Sequence, residues 1–200
     1  MRLGVPKERD DNETRVAIVP VSVPKLNKLG FEVLVEKGAG KKSGYSDSEY
    51  EDKGAKMGNR EDVMTSGLVA SVNVPDFKMM KKGHMLACIA DPFRNLEQTK
   101  NIIDAGITLL SLDLIPRRLS KGQSMDVNSS QDNLSGYRAA LMGSLHVSKM
   151  VPMMMTAGGT VRPAKFVIQG AAVAGLQAIA TAKRLGGVIH AIDVRLAAKQ

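Results

Sequence analysis

The segment 165–193, KFVIQGAAVAGLQAIATAKRLGGVIHAID, limits the fold of this 200-residue chain more than any other stretch. Its apolar run over 165–169 predicts a strand, and Gly170 to Gly175 predicts a glycine-containing turn. Residues 176–185 have helical character, Gly186-Gly187 is a helix stop, and 188–192 predicts a second strand. The result is a βαβ unit, the building block of a parallel sheet.

Short apolar runs alternate with amphipathic stretches through the rest of the chain, which reads as α/β. Strands are predicted at 3–5, 31–35, 68–74, 85–90 and 107–112, and helices at 21–29, 96–105 and 134–150. Ser46 followed by Glu49 is a capping-box start for a further short helix. Residues 37–45 and 153–159 are predicted as loops, and 116–133 is polar and weakly periodic. The expected architecture is two Rossmann-like parallel-sheet domains, the second truncated after its first βαβ unit. Residues 1–135 are expected to form a Rossmann- or flavodoxin-like domain, 136–163 a connecting helix and loop, and 164–200 the start of a nucleotide-binding Rossmann domain. A complete domain of that kind needs two βαβαβ halves. The chain stops at Gln200 as the next helix would begin, so the second sheet is expected to present an open edge.

Composition excludes several classes. With 44% apolar and 24% charged residues, the chain can build a core and is not disordered. No apolar run approaches the ~20 residues of a membrane span. The opening MRLGVPKERDD is charged and lacks an apolar h-region, so no secretory signal is expected, and its early acidic residues make it a poor transit peptide. The single cysteine, Cys88, excludes an internal disulfide and a cysteine-based zinc site, and it reads as a buried thiol. The net charge of +8 raises the question of nucleic acid. The basic residues are dispersed and aromatics are only 4%, so no nucleic-acid partner is expected. No metal site is expected either, because His84, His146 and His190 lack ligand spacing.

Two constellations carry chemistry. In the turn, Gly170, Ala172 and Gly175 occupy the positions of a G-x-G-x-x-G fingerprint. The first glycine permits the tight turn and the third permits close helix–strand packing. The second normally lets a pyrophosphate approach the helix N-terminus, and here a methyl intrudes. Asp193 ends the second strand 18 residues after Gly175, where a carboxylate can accept from ribose hydroxyls and repel a 2′-phosphate. This favours NAD over NADP. The candidate cofactor-binding set runs through the turn and past the strand end: Gly170, Ala172, Val173, Ala174, Gly175, Asp193 and Arg195.

The second constellation is Arg118, Gln123, Ser124, Asp126 and Ser129. Gln123 can match a carboxamide, and Asp126 can orient the Arg118 fork. A capped loop with a surface ion pair is the simpler reading of spacing alone. Arg15 is either an anion clamp or a rim arginine in a salt bridge. Lys41-Lys42 reads as a solvated loop rather than a phosphate contact, and residues 153–155 as a packed methionine cluster.

GVPKE (4–8), RVAIVP (15–20), EKGAG (36–40), SGYSD (43–47), QSMD (123–126), GYRAA (136–140), MMMTAGGT (153–160) and AGLQAIATAKRLG (174–186) occur in that order along the chain. Together they resemble the soluble, NAD-binding part of the proton-translocating NAD(P) transhydrogenase alpha subunit, over about its N-terminal half. The resemblance implies NAD(H) binding between the two domains, with Arg118, Gln123, Asp126 and Ser129 at the nicotinamide. It implies hydride transfer to NADP+ held on a partner component, and proton translocation by membrane components. It also implies a homodimer, cytoplasmic and peripheral to the inner (plasma) membrane through its complex.

Alanine dehydrogenase shares the N-terminal motifs. In that family Arg15 would bind the substrate carboxylate, a lysine would stand at Asn73, and a catalytic histidine would lie near Ala90-Asp91. Neither the lysine nor the histidine is here, and without them oxidative deamination lacks its proton chemistry. Ala172, Gln169 and Lys121 depart from the transhydrogenase pattern. The alternative is a truncated, non-catalytic remnant that only dimerises or docks.

Overall fold

β1 (Arg2–Val5) is short and, from Leu3 onward, uncharged and buried, as a strand at the centre of a parallel sheet must be. In the computed structural model, which describes residues 1–116 and 119–196, it has a parallel neighbour on each edge. The sheet adds β2 (Glu32–Glu36), β3 (Lys56–Gly58), β4 (Leu68–Ala70), β5 (Met85–Cys88) and β6 (Thr108–Ser111). All pairs are parallel and the order is β3-β2-β1-β4-β5-β6. The chain winds outward from β1 to β3, returns to β4, and winds out the other way. That reversal is the doubly wound Rossmann order.

The connections are α1 (Val23–Lys28), α2 (Asp47–Asp52), α3 (Arg60–Met64) and α4 (Leu96–Asp104). Pro24 sits in the first turn of α1, where its missing N–H costs nothing. The predicted capping box is present on α2: Ser46 accepts from the Glu49 N–H, and the Glu49 carboxylate accepts from the Ser46 N–H at 2.7 Å. Leu3, Val5, Val33, Val35, Val23 and Tyr50 form one buried cluster, and Met64, Val69, Leu86, Cys88, Ile102 and Ile107 another. Each such aliphatic side chain contributes about 1.5–3 kcal/mol of burial. β3 and α3 have no counterpart among the predicted elements, since both are too short to carry a periodic signal.

The chain divides into two compact units, Met1–Met125 and Asp126–Gln200. The first ends with the single turn α5 (Ser120–Gln123). The second begins with α6 (Val127–His146), followed by a hairpin of β7 (Met154–Thr156) and β8 (Gly159–Val161). It continues with β9 (Lys165–Gln169), α7 (Val173–Arg184) and β10 (Val188–Ile192). β9 and β10 pair in parallel from Lys165↔Val188 to Gln169↔Ile192, as predicted.

Three local expectations are corrected. The long helix starts at Val127 rather than 134, because Asp126 caps a polar first turn that has no apolar stripe to betray it. The predicted loop at 153–159 is instead an antiparallel hairpin around Ala157-Gly158, braced by the Thr156 hydroxyl on the Gly159 carbonyl at 3.0 Å. Its methionines are not packed: Met155 is 84% exposed. The core of this unit is small, with Ala140, Ala178 and Ala182 against Phe166, Ile168 and Ile189. A β-carbon at Gly136 would collide with the Ala174 carbonyl, so α6 and α7 approach to backbone contact there. On the other face of the two-stranded sheet, Val167 and Ile192 are exposed.

Candidate functional site

β9 delivers the chain into the glycine turn. Gly170 has φ +95°, a left-handed conformation that a side chain would strain. Its N–H donates to the Ile192 carbonyl at 2.7 Å, tying the turn to the end of β10. Gly175, in the first turn of α7, lies against the Gly170 carbonyl, and a β-carbon there would collide with that oxygen. The first and third glycines of the fingerprint therefore have the roles their positions predict. Ala172 is the residue before α7, exposed, with φ −82° and ψ −166°. That is ordinary extended backbone, so alanine is accepted without strain. No side chain caps this helix among the described residues. The N–H groups of its first turn, from Val173 to Gly175, lack a side-chain acceptor at the positive end of the helix dipole.

Asp193 follows β10. One carboxylate oxygen accepts from the Ala171 N–H at 2.7 Å and from Arg195 Nη2 at 2.9 Å. The other accepts from the Arg195 N–H at 2.8 Å and Arg195 Nε at 3.0 Å. The Arg195 guanidinium, then these backbone donors, hold the carboxyl well below the usual range. Asp193 and Arg195, which share only proximity in the sequence, are thus bonded to each other, and Asp193 braces the glycine turn.

Of the other predicted set, Arg118 lies outside the described residues. Gln123 is exposed at the last residue of α5. Asp126 is the N-cap of α6 and accepts from the Ser129 N–H at 2.9 Å. The cap joins two of the predicted residues and gives Asp126 a structural task. Ser124 donates to the Lys121 carbonyl at 3.1 Å.

In the first unit, the sheet order reverses between β1 and β4, and their carboxyl ends open on a cavity of about 260 Å³ lined by Lys7, Glu8, Arg9, Ser71, Asn73 and Pro75, among others. Doubly wound sheets place their crevice at this point. The Glu8 carboxylate accepts from the Val72 N–H at 2.7 Å and the Asn73 N–H at 3.3 Å. Burial raises its pKa, against the pull of those two bonds. Glu13 accepts from Arg15 Nε at 2.8 Å, Arg15 Nη2 at 2.7 Å and the Asn73 amide at 3.0 Å. Arg15 chiefly holds the Glu13 carboxyl down to about 2. Arg15 is thus in the salt bridge that is one of its two predicted roles. Lys42, expected in a solvated loop, donates to the Asp11 carbonyl at 2.9 Å and pairs with the Asp11 carboxylate at 3.3 Å. Sequence reasoning misses Glu8 and Glu13. Two charged residues just past a buried strand, in the order of a doubly wound fold, are the signal that could have found them.

Comparison with known proteins agrees with this geometry. Residues 4–135 match the alanine dehydrogenase/PNT N-terminal domain, and residues 139–200 match the alanine dehydrogenase/PNT C-terminal domain. The chain belongs to the alanine dehydrogenase/PNT family. Within it, the chain is 37% identical to NAD(P) transhydrogenase subunit alpha of Haemophilus influenzae, across its whole length and 40% of the relative. It is 27% identical to alanine dehydrogenase of Mycobacterium tuberculosis, over 98% of the chain and 54% of that protein. The solved transhydrogenase of Sinorhizobium meliloti superposes with a TM-score of 0.95 at 46% identity, covering all of this chain and 60% of that one. The chain therefore spans between two fifths and three fifths of the length of these relatives.

Proposed function

We propose that this chain is the NAD(H)-binding component of a proton-translocating NAD(P) transhydrogenase, or the part of it that contains the glycine turn. The reading rests on one arrangement. An uncapped α7 N-terminus, a turn pinched by Gly170 and Gly175, and Asp193 bonded to that turn through Ala171 stand within one βαβ unit. This fits a dinucleotide. The first-turn N–H groups of α7 would hold the pyrophosphate, and Asp193 would take the ribose hydroxyls. Gln123, Asp126, Ser129 and Arg118 would orient the nicotinamide carboxamide. When bound, NADH would supply a hydride for NADP+ held on a partner component. The chain's contribution is binding, orientation and electrostatics.

Among the described residues no helix is long and apolar enough to cross a membrane. In this reading the translocating step falls to membrane components of the same complex, with the chain homodimeric and peripheral to the inner membrane on its cytoplasmic side. Oxidative deamination of alanine is disfavoured by Asn73, an amide engaged with Glu13 where a cation would be needed. The test is reconstitution. The full-length chain is titrated with NADH and then mixed with membranes carrying the NADP-binding partner. Saturable NADH binding and reduction of an NADP+ analogue are expected. Binding without turnover in the complete assembly would favour the docking-protein alternative, and no NADH binding would overturn the proposal.

A further inference from the structure

Asp193 already has a full set of donors from its own chain. A carboxylate has about four lone-pair directions. Ala171 fills one, and the Arg195 backbone N–H, Nε and Nη2 fill the other three. A ribose diol brings two hydroxyl donors to the same two oxygens. It gains room where the guanidinium gives way, because the other two donors are main-chain N–H groups, of Ala171 in the turn and of Arg195 itself. The two partners differ in freedom. The Asp193 side chain is 9% exposed and the Arg195 side chain 58% exposed, so Arg195 is the one able to swing out. The guanidinium end of the pair is open to solvent, which weakens its hold, so a ligand that brings its own donors can displace it.

We infer that Arg195 determines nucleotide specificity at this site. Paired, it competes with the adenine-side ribose for Asp193. Displaced, it sets a guanidinium beside the ribose 2′ position. This inference rests on the NAD(H) reading above. It also alters one consequence drawn from sequence. Asp193 alone repels a 2′-phosphate, but Asp193 with Arg195 is a neutral pair whose cationic half carries a fork suited to phosphate oxygens. Rejection of the phosphorylated nucleotide is therefore weaker than the acid by itself would give.

The test uses the full-length chain and its Arg195→Ala and Arg195→Lys variants, each titrated with NADH and NADPH by nicotinamide fluorescence. Arg195→Ala is expected to bind NADH about threefold more tightly, since it frees the two acceptor directions that Nε and Nη2 fill. It is expected to bind NADPH about tenfold more weakly, since an unpaired acid then faces the phosphate. Arg195→Lys keeps the charge but loses the fork. It should share the NADH gain and lose less NADPH affinity than the alanine variant. An NADH-to-NADPH ratio that is unchanged or narrowed in both variants overturns the inference alone. Absence of NADH binding in the unmodified chain overturns the nucleotide reading and the inference with it.

Discussion

Gly175 lies so close to the Gly170 carbonyl oxygen that a β-carbon at 175 would overlap it. The contact seats the first turn of α7 directly on the end of β9. Gly175→Ala must push the helix away from the turn. Overpacking of this kind costs about 1–3 kcal/mol. The expected result is a lower Tm together with loss of NADH binding by titration. Unchanged values of both would mean the backbone yields and the seat is not needed.

Ala172 sets a separate question. Its backbone is unstrained and its side chain exposed, so glycine is not required for the turn to form. Ala172→Gly should cost about 0.4–1 kcal/mol through the unfolded chain. It should also tighten NADH binding several-fold by clearing the pyrophosphate path. Titration without any gain would show that the methyl stands clear of the phosphates.

Asp126 has two candidate tasks that substitution can separate. Asp126→Ala removes the α6 cap and should destabilise the chain by about 1 kcal/mol. Asp126→Asn retains a capping oxygen and most of that stability. Hydride transfer lost in the asparagine variant, at unchanged Tm, would assign the carboxylate to the nicotinamide. Equal transfer in both forms would leave it a cap alone.

The Glu13–Arg15 pair predicts a pH dependence. The folded-state carboxyl is held down to about 2 by Arg15, below its ordinary 4.5. Its stabilising contribution is therefore complete above about 4.5 and lost as pH falls through about 2. Thermal unfolding followed from about pH 6 to about pH 2 should show a steeper fall for the native chain than for Glu13→Gln. Parallel curves would mean that the pair is as well formed in the unfolded chain.

Much of this is legible in the sequence, and unevenly. β9 and β10 begin and end where their apolar runs do, because Gly170 closes the first and Gly186-Gly187 open the second. Ser46 and Glu49 announce α2 through chemistry that is entirely local. The start of α6 is hidden, since residues 128–133 are polar and it is the Asp126 side chain that caps the first turn. The β7–β8 hairpin is hidden for the opposite reason: its strands bury almost nothing and so show no alternation. Spacing singles out Gly170, Gly175 and Asp193, which the fold brings together at the glycine turn. It does not identify the bidentate bond from Arg195, because which side chain a surface arginine grips depends on the path of the loop between them.

The strand order has a kinetic consequence. β1 needs Glu32 opposite Arg2 on one edge and Leu68 opposite Leu3 on the other. Both edges of the central strand thus wait for chain made well after it. Loop closure must be achieved before either pairing is rewarded, and parallel sheets of such high contact order fold slowly. While it waits, β1 is an apolar template open on two sides, the kind of edge on which chains misassemble. Expression yield should therefore depend more on temperature and chaperone supply than on the final stability of the sheet.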